Sequence, residues 1–447
     1  MSPSIRRARR LSFHCIAAAV LASLYTVPAL ADAEVDALKK ELAEQRKLIE
    51  QLLAAQGQAP APAAAAGAAP AAGTPPVAGA SQPSISAYGV ADVGVNSTSA
   101  GQGRKTQFSS GGFSSSRLGV RVDHPMAAGL QAVALAEAGV LYDNGVVGNA
   151  NVSPGINTTP SSGGQLGTGT QLFSRQIFAG LKGNFGSLTL GRQYTGSYIE
   201  STGIGSVKGD GLLGYSGGVI PLVGGMPTRL DNSLAYVTPS WQGLSAQLIY
   251  TTGSDNNVSE PTTSGSNLTT DRAGRGHDIA VFYRQGPLTA AASTWGVNAT
   301  SYKTTETGLA RKRGFQLAAN YDFGVLKLAG NVATGKIKGG DYENVTQTLS
   351  DANAYGLSVL VPYGQHRFVV AYSHLNDKSA LNKDASIYGL GYWYELSTST
   401  KLYAAWGRIQ NNAQASYSLA DGGSLVNATK EAGVSPSGFA GGINFSF

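Results

Sequence analysis

The sequence predicts an all-β protein, a 16-stranded antiparallel transmembrane β-barrel that follows a short N-terminal α-helical coiled coil. Three observations predict the barrel. From residue 84 onward, apolar side chains alternate with small or polar ones, as in the run Leu-Gly-Val-Arg-Val at 118–122, and this period of two is typical of β-strands. No apolar run of helix length follows residue 31. The connections alternate between very short and long, which is typical of outer-membrane barrels.

The first 31 residues have the order of a secretory signal peptide. Arginines at positions 6, 7, 9 and 10 precede the apolar stretch 16–24, and Ala29-Leu30-Ala31 matches an A-x-A cleavage site. The apolar stretch is too short to cross a bilayer as a helix. Cys15 is the only cysteine and lies inside this segment, so we expect neither disulfides nor thiolate chemistry in the mature chain.

Residues 32–56 are predicted to form a periplasmic coiled coil. Apolar residues and one glutamine occupy the a and d positions of a heptad, namely Val35, Leu38, Leu42, Gln45, Ile49 and Leu52. A helix of this length is marginally stable alone, so we expect it to self-associate, most simply as a parallel trimer. A solvated helix without a partner is the alternative. Residues 57–83 carry no charge and consist almost entirely of Ala, Pro and Gly, which predicts an extended linker.

Residues 84–447 are predicted to form the barrel. Counting alternating stretches yields sixteen strands, an even number that returns both chain ends to the same side. Strands that enter a membrane must pair every backbone group, and a closed barrel does so. Aromatic residues near the short turns are expected to form one interfacial girdle: Tyr236, Trp241, Tyr321, Phe323, Tyr363, Trp393 and Tyr394.

Several stretches resemble the general diffusion porins of Gram-negative bacteria, especially the trimeric porins of the β-proteobacterial group. They are Tyr88–Asp92, Ser110–Arg121, Phe173–Gly186, Gly191–Tyr194, Asp231–Tyr236 and Asn444–Phe447. The resemblance implies a homotrimer in the outer membrane, in contact with its lipids and lipopolysaccharide. It also implies insertion by the barrel assembly machinery with Phe447 as the assembly signal, and a third long loop that folds into the barrel. The N-terminal coil departs from the general plan and is similar to the periplasmic coil of some sugar porins.

Five arginines are candidates for a positive wall at the narrowest part of the pore. Arg117 and Arg121 lie opposite the apolar face of their strand, so both are expected to point inward. Arg175 and Arg229 match basic wall positions of similar porins, although Ile177 and Leu181 share the parity of Arg175. Arg284 lies on the small-or-polar parity of its strand. Each alone is equally well explained as a solvated residue of the lumen.

The third long loop, at about 196–228, lacks acids where similar porins carry them. The run Pro221-Leu222-Val223-Gly224-Gly225 replaces a stretch in which relatives place carboxylates across from the arginines. Only Glu200 and Asp210 remain, and Lys208 offsets one of them. We therefore expect anion preference or weak selectivity, since the charges at the narrowest part set ion selectivity. The alternative is that the apolar run, with Leu222 at its centre, only packs the loop against the wall.

No other chemistry is predicted. The histidines are scattered without metal-ligand spacing, no nucleophile motif occurs, and the charge surplus is too dispersed for nucleic-acid binding. We therefore expect no enzyme, no metal, no cofactor and no nucleic-acid partner. Two alternatives to a passive porin stay open: a channel selective for a sugar, an organic acid or phosphate, and a structural role in which the coil contacts the cell wall or a periplasmic partner.

Overall fold

The structure is a computed structural model. It describes residues 82–143, 145–147, 172–207, 220–253, 274–299, 310–338, 351–419 and 431–447, together with Lys47 and Thr429. Lys47 is helical. The predicted signal peptide lies outside the described residues, and so do the rest of the predicted coiled coil and residues 57–81 of the linker.

Seventeen strand segments follow one another along the described chain. They are β1 (Ser84–Ser99), β2 (Arg104–Ser110), β3 (Arg117–Pro125), β4 (Gln131–Gly139), β5 (Gln176–Gly183), β6 (Gly186–Tyr194), β7 (Arg229–Val237), β8 (Leu244–Thr251), β9 (Gly276–Gln285), β10 (Leu288–Ala299), β11 (Ala310–Asp322), β12 (Lys327–Lys338), β13 (Asp351–Tyr363), β14 (His366–Asp377), β15 (Ala385–Glu395), β16 (Thr400–Asn411) and β17 (Ser437–Ser446). From β3 to β17 each strand pairs antiparallel with the next.

Segments β2 and β3 are two parts of one barrel strand. Both pair antiparallel with β1, β2 with Val93–Ser99 and β3 with Ser84–Val90. Between them, residues 111–116 stand against only Ala91 and Asp92 of β1. The barrel therefore has sixteen strands, as the sequence predicted.

The ends of the chain close the barrel. Strand β1 pairs with β17, from Val90 against Ser446 to Ser99 against Ser437. Gly89 and Phe447 exchange both backbone hydrogen bonds, at 3.0 and 3.2 Å. A side chain at Gly89 would meet the Phe447 ring at 2.4 Å, so the terminal aromatic ring lies directly over this glycine. Closure leaves no free edge among the described strands.

The carboxylate of Asp92 holds the break between β2 and β3 in place. It accepts hydrogen bonds from the backbone N–H groups of Phe113 and Ser114, at 3.0 and 2.8 Å, and from Asn444 Nδ2 at 2.9 Å. Tyr403 donates a fourth, at 2.8 Å. Three of the stretches that resemble porins therefore meet at this buried carboxylate.

The two faces of the wall differ as the period of two predicts. Leu118, Val120, Leu190 and Val370 are exposed on the outside, where they form an apolar surface. The predicted girdle needs one correction, because Trp393 is only 2% exposed and its ring packs inside against Phe113, with ring centroids 5.2 Å apart. Trp393 shares the inward parity of Ile387, whereas Tyr394 lies on the outer face. None of the described helices is long and apolar enough to span a membrane.

Candidate functional site

The connection between β6 and β7 turns inward and lies on the inner wall. It begins with helix α1 (Gly196–Gly203), whose N-terminus is capped by Thr195, since the Thr195 side chain accepts from Tyr198 N–H. Ser197 N–H and Oγ both donate to the carboxylate of Asp278 on the inner face of β9, the first at 3.2 Å. The third long loop thus folds into the barrel, as the resemblance implied.

A row of inward amides binds the backbone of this loop. Gln316 donates to the carbonyl of Ser197 at 2.7 Å, and Asn320 to that of Ile204 at 3.0 Å. Asn331 donates to Gly205 O, also at 3.0 Å. Between the amides the wall offers small side chains, and Ala280, Ala291 and Ala318 pack against Ile204. Small residues let the backbone approach, and the amides satisfy carbonyls that would otherwise be buried without partners.

The run that replaces the expected acids packs on the same wall. Residues Ile220–Gly225 form a 3-10 segment next to β11, β12 and β13. Val223 is fully buried, and Gly224 O accepts from Trp295 Nε1 at 3.3 Å. Gly224 has a φ of +59°, and a Cβ there would meet the Arg313 carbonyl oxygen at 2.3 Å, so only glycine fits. Leu222 belongs to this segment through its backbone, and its side chain is not among the described groups.

Three of the five predicted arginines meet around two tyrosines and one glutamate. Arg175 Nε donates to Glu137 Oε1 at 2.7 Å, and Arg117 Nε lies 3.7 Å from Glu137 Oε2. Tyr88 also donates to Glu137 Oε2, at 2.8 Å. Arg175 Nη2 extends from this pair to the Tyr194 hydroxyl at 2.6 Å. We call Arg117, Arg175 and Arg229 the arginine cluster.

Arg229 joins the arginine cluster from the first position of β7. Its Nη2 donates to the same Tyr194 hydroxyl, and its Cζ lies 4.2 Å from the Tyr194 ring centroid. A cation at this distance over an aromatic face is attracted by the ring. The Tyr194 ring stacks on that of Tyr198 from α1, with centroids 5.3 Å apart and an interplanar angle of 7°. The tyrosine pair thus connects the inward loop to the basic wall.

The structure places the other predicted charges elsewhere. Arg121 forms a two-point pair with Asp123 at 2.6 and 2.9 Å, near the short turn that follows β3. Arg284 is exposed beside the turn at Gly286, with its Cζ 4.8 Å from the Phe282 ring centroid. Neither is in contact with the arginine cluster among the described residues. Lys208 and Asp210 lie outside the described residues.

Glu200 lies on the side of α1 that faces Ser293 and Gln316 of the wall, and it is fully buried. Neither carboxyl oxygen has a hydrogen-bond partner with good geometry, and the neighbouring Ser293 Oγ and Gln316 Oε1 are equally unpaired. Burial raises the pKa of this carboxyl to about 8. A protonated acid can donate to Gln316 Oε1 and accept from Ser293 Oγ, so protonation resolves the unpaired atoms together. At neutral pH the loop therefore gains little negative charge from Glu200.

Sequence reasoning missed Glu137 and the tyrosines of this site. Glu137 lies on β4, where Val133 and Leu135 share its inward parity while alanines occupy the outer face. Both faces are apolar, so the alternation gives no clear direction. The sequence feature that could have indicated this site is the isolated acid itself. A single charge in an otherwise apolar strand is costly to bury without a partner of opposite charge. Arg175 was ambiguous for a simpler reason: it precedes β5, so the parity of that strand does not apply to it.

Comparison with known proteins gives a consistent result. Residues 59–442 match the family model described as Gram-negative porin. The chain is 31% identical over 385 residues to outer membrane porin protein 32 of Delftia acidovorans, covering 83% of this chain and 96% of that protein.

Solved structures agree on the fold. The anion-selective porin from Comamonas acidovorans covers 82% of this chain and all of its own length, with a TM-score of 0.64 and 24% identity. OmpT of Vibrio cholerae, in its trimer form, has a TM-score of 0.56 at 16% identity and the same coverage of this chain. These relatives are channels rather than enzymes. A closed sixteen-stranded barrel with an inward loop, together with the family match along most of the chain, makes this protein an outer-membrane channel of the Gram-negative porin family.

Proposed function

We propose that this porin conducts small hydrophilic solutes passively and prefers anions. The arginine cluster carries the proposal: it places three guanidinium groups beside one carboxylate, that of Glu137, which pairs with Arg117 and Arg175. The inward loop contacts this wall through Tyr194 and Tyr198. Arg175 and Arg229 also converge on the hydroxyl of one neutral phenol, Tyr194. This excess of positive charge attracts anions toward the constriction and repels cations.

The inward loop strengthens the preference because its described part adds no ionised acid at neutral pH. Glu200 is buried with a raised pKa. Val223 and Gly224 press into the wall where relatives of the general porin type carry carboxylates. One solved relative is described as anion-selective, which agrees with this assignment.

Reversal potentials test the proposal. The purified protein is inserted into planar bilayers under a potassium chloride gradient, and the sign of the zero-current potential gives the preferred ion. We expect the sign of anion preference, and a lower preference at high salt because the charges are screened. A potential of the opposite sign would overturn the proposal.

We also propose that three copies associate, each with its own pore. The solved relative OmpT has a trimer form, and the heptad at 32–56 suits a three-stranded coil with the same symmetry. The signal peptide before it is expected to be cleaved after Ala31. Native mass spectrometry of the purified protein in detergent measures both the copy number and the mature mass. Removal of residues 32–83 tests whether the coil contributes to trimer stability.

Phe447 is proposed to guide assembly. Its ring is 57% exposed, lies over Gly89 and stacks near Phe445, with ring centroids 5.7 Å apart. Since the ring sits on the outside of the closed seam, an assembly factor can reach it. Deletion of Phe447 should reduce the amount of inserted barrel in cells while leaving detergent refolding of the purified chain largely intact.

A further inference from the structure

The inner wall carries a second set of cations, at the end of the barrel that has the short turns. Three acids lie at the same end, also on the inner face: Asp123, Asp322 and Glu395. The short turns themselves contain no acidic or basic residue. The cations lie on six different strands, and we call them the mouth ring: Arg121, Lys182, Arg284, Lys327, Arg367 and Lys401. Positive charge therefore exceeds negative charge at this mouth of the pore.

The strand pattern directs the mouth ring into the pore. Arg284 shares the parity of Phe282, which is buried on the inner face beside the inward loop. Lys327 shares the parity of Ala329, which is also buried inside. The other four share the parity of inner residues of their strands: Arg121 that of Arg117, Lys182 that of Gln176, Arg367 that of Val369, and Lys401 that of Tyr403.

Ion pairs neutralise only two members of the mouth ring. Arg121 pairs with Asp123 at 2.6 Å, and Arg367 pairs with Glu395 at 2.8 Å. The third acid accepts a hydrogen bond from the backbone of its own turn, at 2.8 Å. Within the described part of the chain, the other four cations form no ion pair. Their charge is therefore available to ions in the pore.

Three of the unpaired cations reach the water of the pore. Lys182 and Arg284 are exposed and Lys327 is half-buried, whereas Lys401 is only 7% exposed. Lys182, Arg284 and Lys327 lie on the fourth, eighth and eleventh of the sixteen barrel strands, and we call them the free cations. Because they are spread over nearly half of the circumference, they act on a passing ion as a field and not as a compact pocket.

The mouth ring lies close enough to the arginine cluster for the two to act in sequence. Arg121 is four residues after Arg117 on β3, and Lys182 is seven residues after Arg175. At about 3.4 Å per residue and a strand tilt of about 40°, these separations correspond to about 10 and 18 Å along the barrel. Electrostatic interactions in physiological salt decay over about 8 Å. An anion that leaves the arginine cluster therefore soon enters the field of the mouth ring.

We propose that the free cations of the mouth ring accumulate small anions at the short-turn mouth of the pore, and divalent anions most strongly. A passage lined by one sign of charge raises the local concentration of ions of the other sign. In a given potential this enrichment grows exponentially with ionic charge, so about twofold for a monovalent anion becomes about fourfold for a divalent one.

This inference rests on the anion preference proposed above and adds the class of anion that the pore favours. The wild-type reversal potential tests the proposed function by itself, since cation preference of the wild type would refute that function. Anion preference in the wild type, together with unchanged conductance after removal of the free cations, would refute only the role of the mouth ring.

The test compares two triple variants that remove the same charge. The first neutralises the free cations with Lys182→Gln, Arg284→Gln and Lys327→Gln. The second is the control and removes three exposed cations from the outer face of the barrel with Arg275→Gln, Arg313→Gln and Arg408→Gln. Single-channel conductance is measured in dilute potassium chloride and dilute potassium sulfate, and again in concentrated salt, which screens the charges. Heat-modifiable migration in gels verifies that each variant is folded.

We expect the first variant to lose about twofold of its conductance in dilute chloride and about fourfold in dilute sulfate, and both losses to disappear in concentrated salt. The control should conduct like the wild type. A third variant keeps the charge, with Lys182→Arg, Arg284→Lys and Lys327→Arg, and should also conduct like the wild type. Equal losses for the two anions, equal losses in the two glutamine variants, or no loss in either would overturn the proposal.

Dilution on one side of the bilayer locates the effect. Thr398→Cys lies in the short turn before β16, and the only other cysteine is Cys15 in the predicted signal peptide. A maleimide reagent too large for the pore therefore reacts only from the short-turn side and reports the orientation of the channel. We expect the loss of conductance mainly when the dilute salt is on that side. An equal loss from both sides would overturn the proposal, because the free cations would then act at the constriction.

Discussion

The inner wall of β3–β7 and the inner wall of β9–β13 are built from different chemistry. The first holds the arginine cluster with Glu137 and Tyr194, and these groups bind each other. The second holds alanines and the amides of Gln316, Asn320 and Asn331, which bind the inward loop.

The difference between the two walls shows that the position of the inward loop determines where charged side chains are tolerated. A wall that is covered by backbone needs small side chains and hydrogen-bond partners for the loop. A charge buried there is costly unless it is hydrogen-bonded, as the Asp278 carboxylate is by Ser197. The wall that the loop leaves uncovered can keep cations, because Arg175 is paired with Glu137 and the Arg117 side chain, 29% exposed, reaches the solvent. Glu200, whose carboxyl oxygens lack such partners, conforms to this rule because burial raises its pKa to about 8.

The largest expected effect is the loss of barrel stability when the Arg175–Glu137 pair on the wall of β3–β7 is broken. Arg175→Met leaves the Glu137 carboxylate, whose side chain is 6% exposed, without its closest cation. Breaking a buried pair on one side costs about 3–5 kcal/mol, so we expect the barrel to lose heat resistance sharply. The measurement is the midpoint of heat-modifiable gel migration. Arg175→Met combined with Glu137→Gln should recover most of the loss, and a double variant as weak as the single one would contradict the pairing.

The second largest effect is expected where the inward loop docks on the wall of β9–β13. Gly224→Val places a branched side chain at φ +59° and against the Arg313 carbonyl, at a cost of about 3 kcal/mol to loop docking. We expect the loop to leave the wall and the single-channel conductance to rise. Gly203→Ala in the same loop is the control, because open space surrounds its Cβ position. Unchanged conductance in a folded Gly224→Val protein would show that the loop does not narrow the pore.

The third effect distinguishes arginines of the cluster from arginines elsewhere. Arg117→Ser with Arg229→Ser should lower the anion-to-cation permeability ratio several-fold, since each unit charge contributes about 1 kcal/mol or more near the ion path. Arg121→Ser is the matched control, because Asp123 already pairs with that charge. Reversal potentials under a salt gradient measure both. If Arg121→Ser has the larger effect, the constriction lies nearer the short turns.

The smallest expected effect concerns pH. The pKa of Glu200 is raised by burial to about 8, so the carboxyl gains charge as pH rises through that value, and anion preference should fall between pH 7 and 9. In the native protein this carboxyl keeps its proton up to about pH 8. In the unfolded chain its pKa is near 4.3, so it loses the proton at a lower pH. The contribution of this group to stability therefore declines from about pH 4 to pH 8.

Glu200→Gln isolates that contribution. Glutamine keeps a donor and an acceptor for Ser293 and Gln316 but cannot ionise, so the pH dependence between 7 and 9 should flatten while selectivity at pH 6 stays unchanged. The carboxylate of Asp278 also faces α1 and remains in the variant. A pH profile identical to that of the wild type would assign the titration to a group other than Glu200.

The sequence by itself determined the barrel, its strand number and the inward direction of residues such as Arg117. These properties follow from local rules: alternation decides which face a side chain takes, and glycine-containing turns such as the one at Gly286 require a positive φ, here +55°. Resemblance to porins supplied the positions of Arg175 and Arg229, which local alternation could not assign.

The tertiary structure alone decided which charges meet. Arg121 and Arg117 share one face of β3, yet only Arg117 approaches Glu137, because β4 and the end of β6 bring that acid and Tyr194 to one level of the barrel. Trp393 and Tyr394 are neighbours in the chain, yet one ring is inside and the other outside. Such pairings depend on contacts between residues far apart in the chain, whose register a local pattern does not encode.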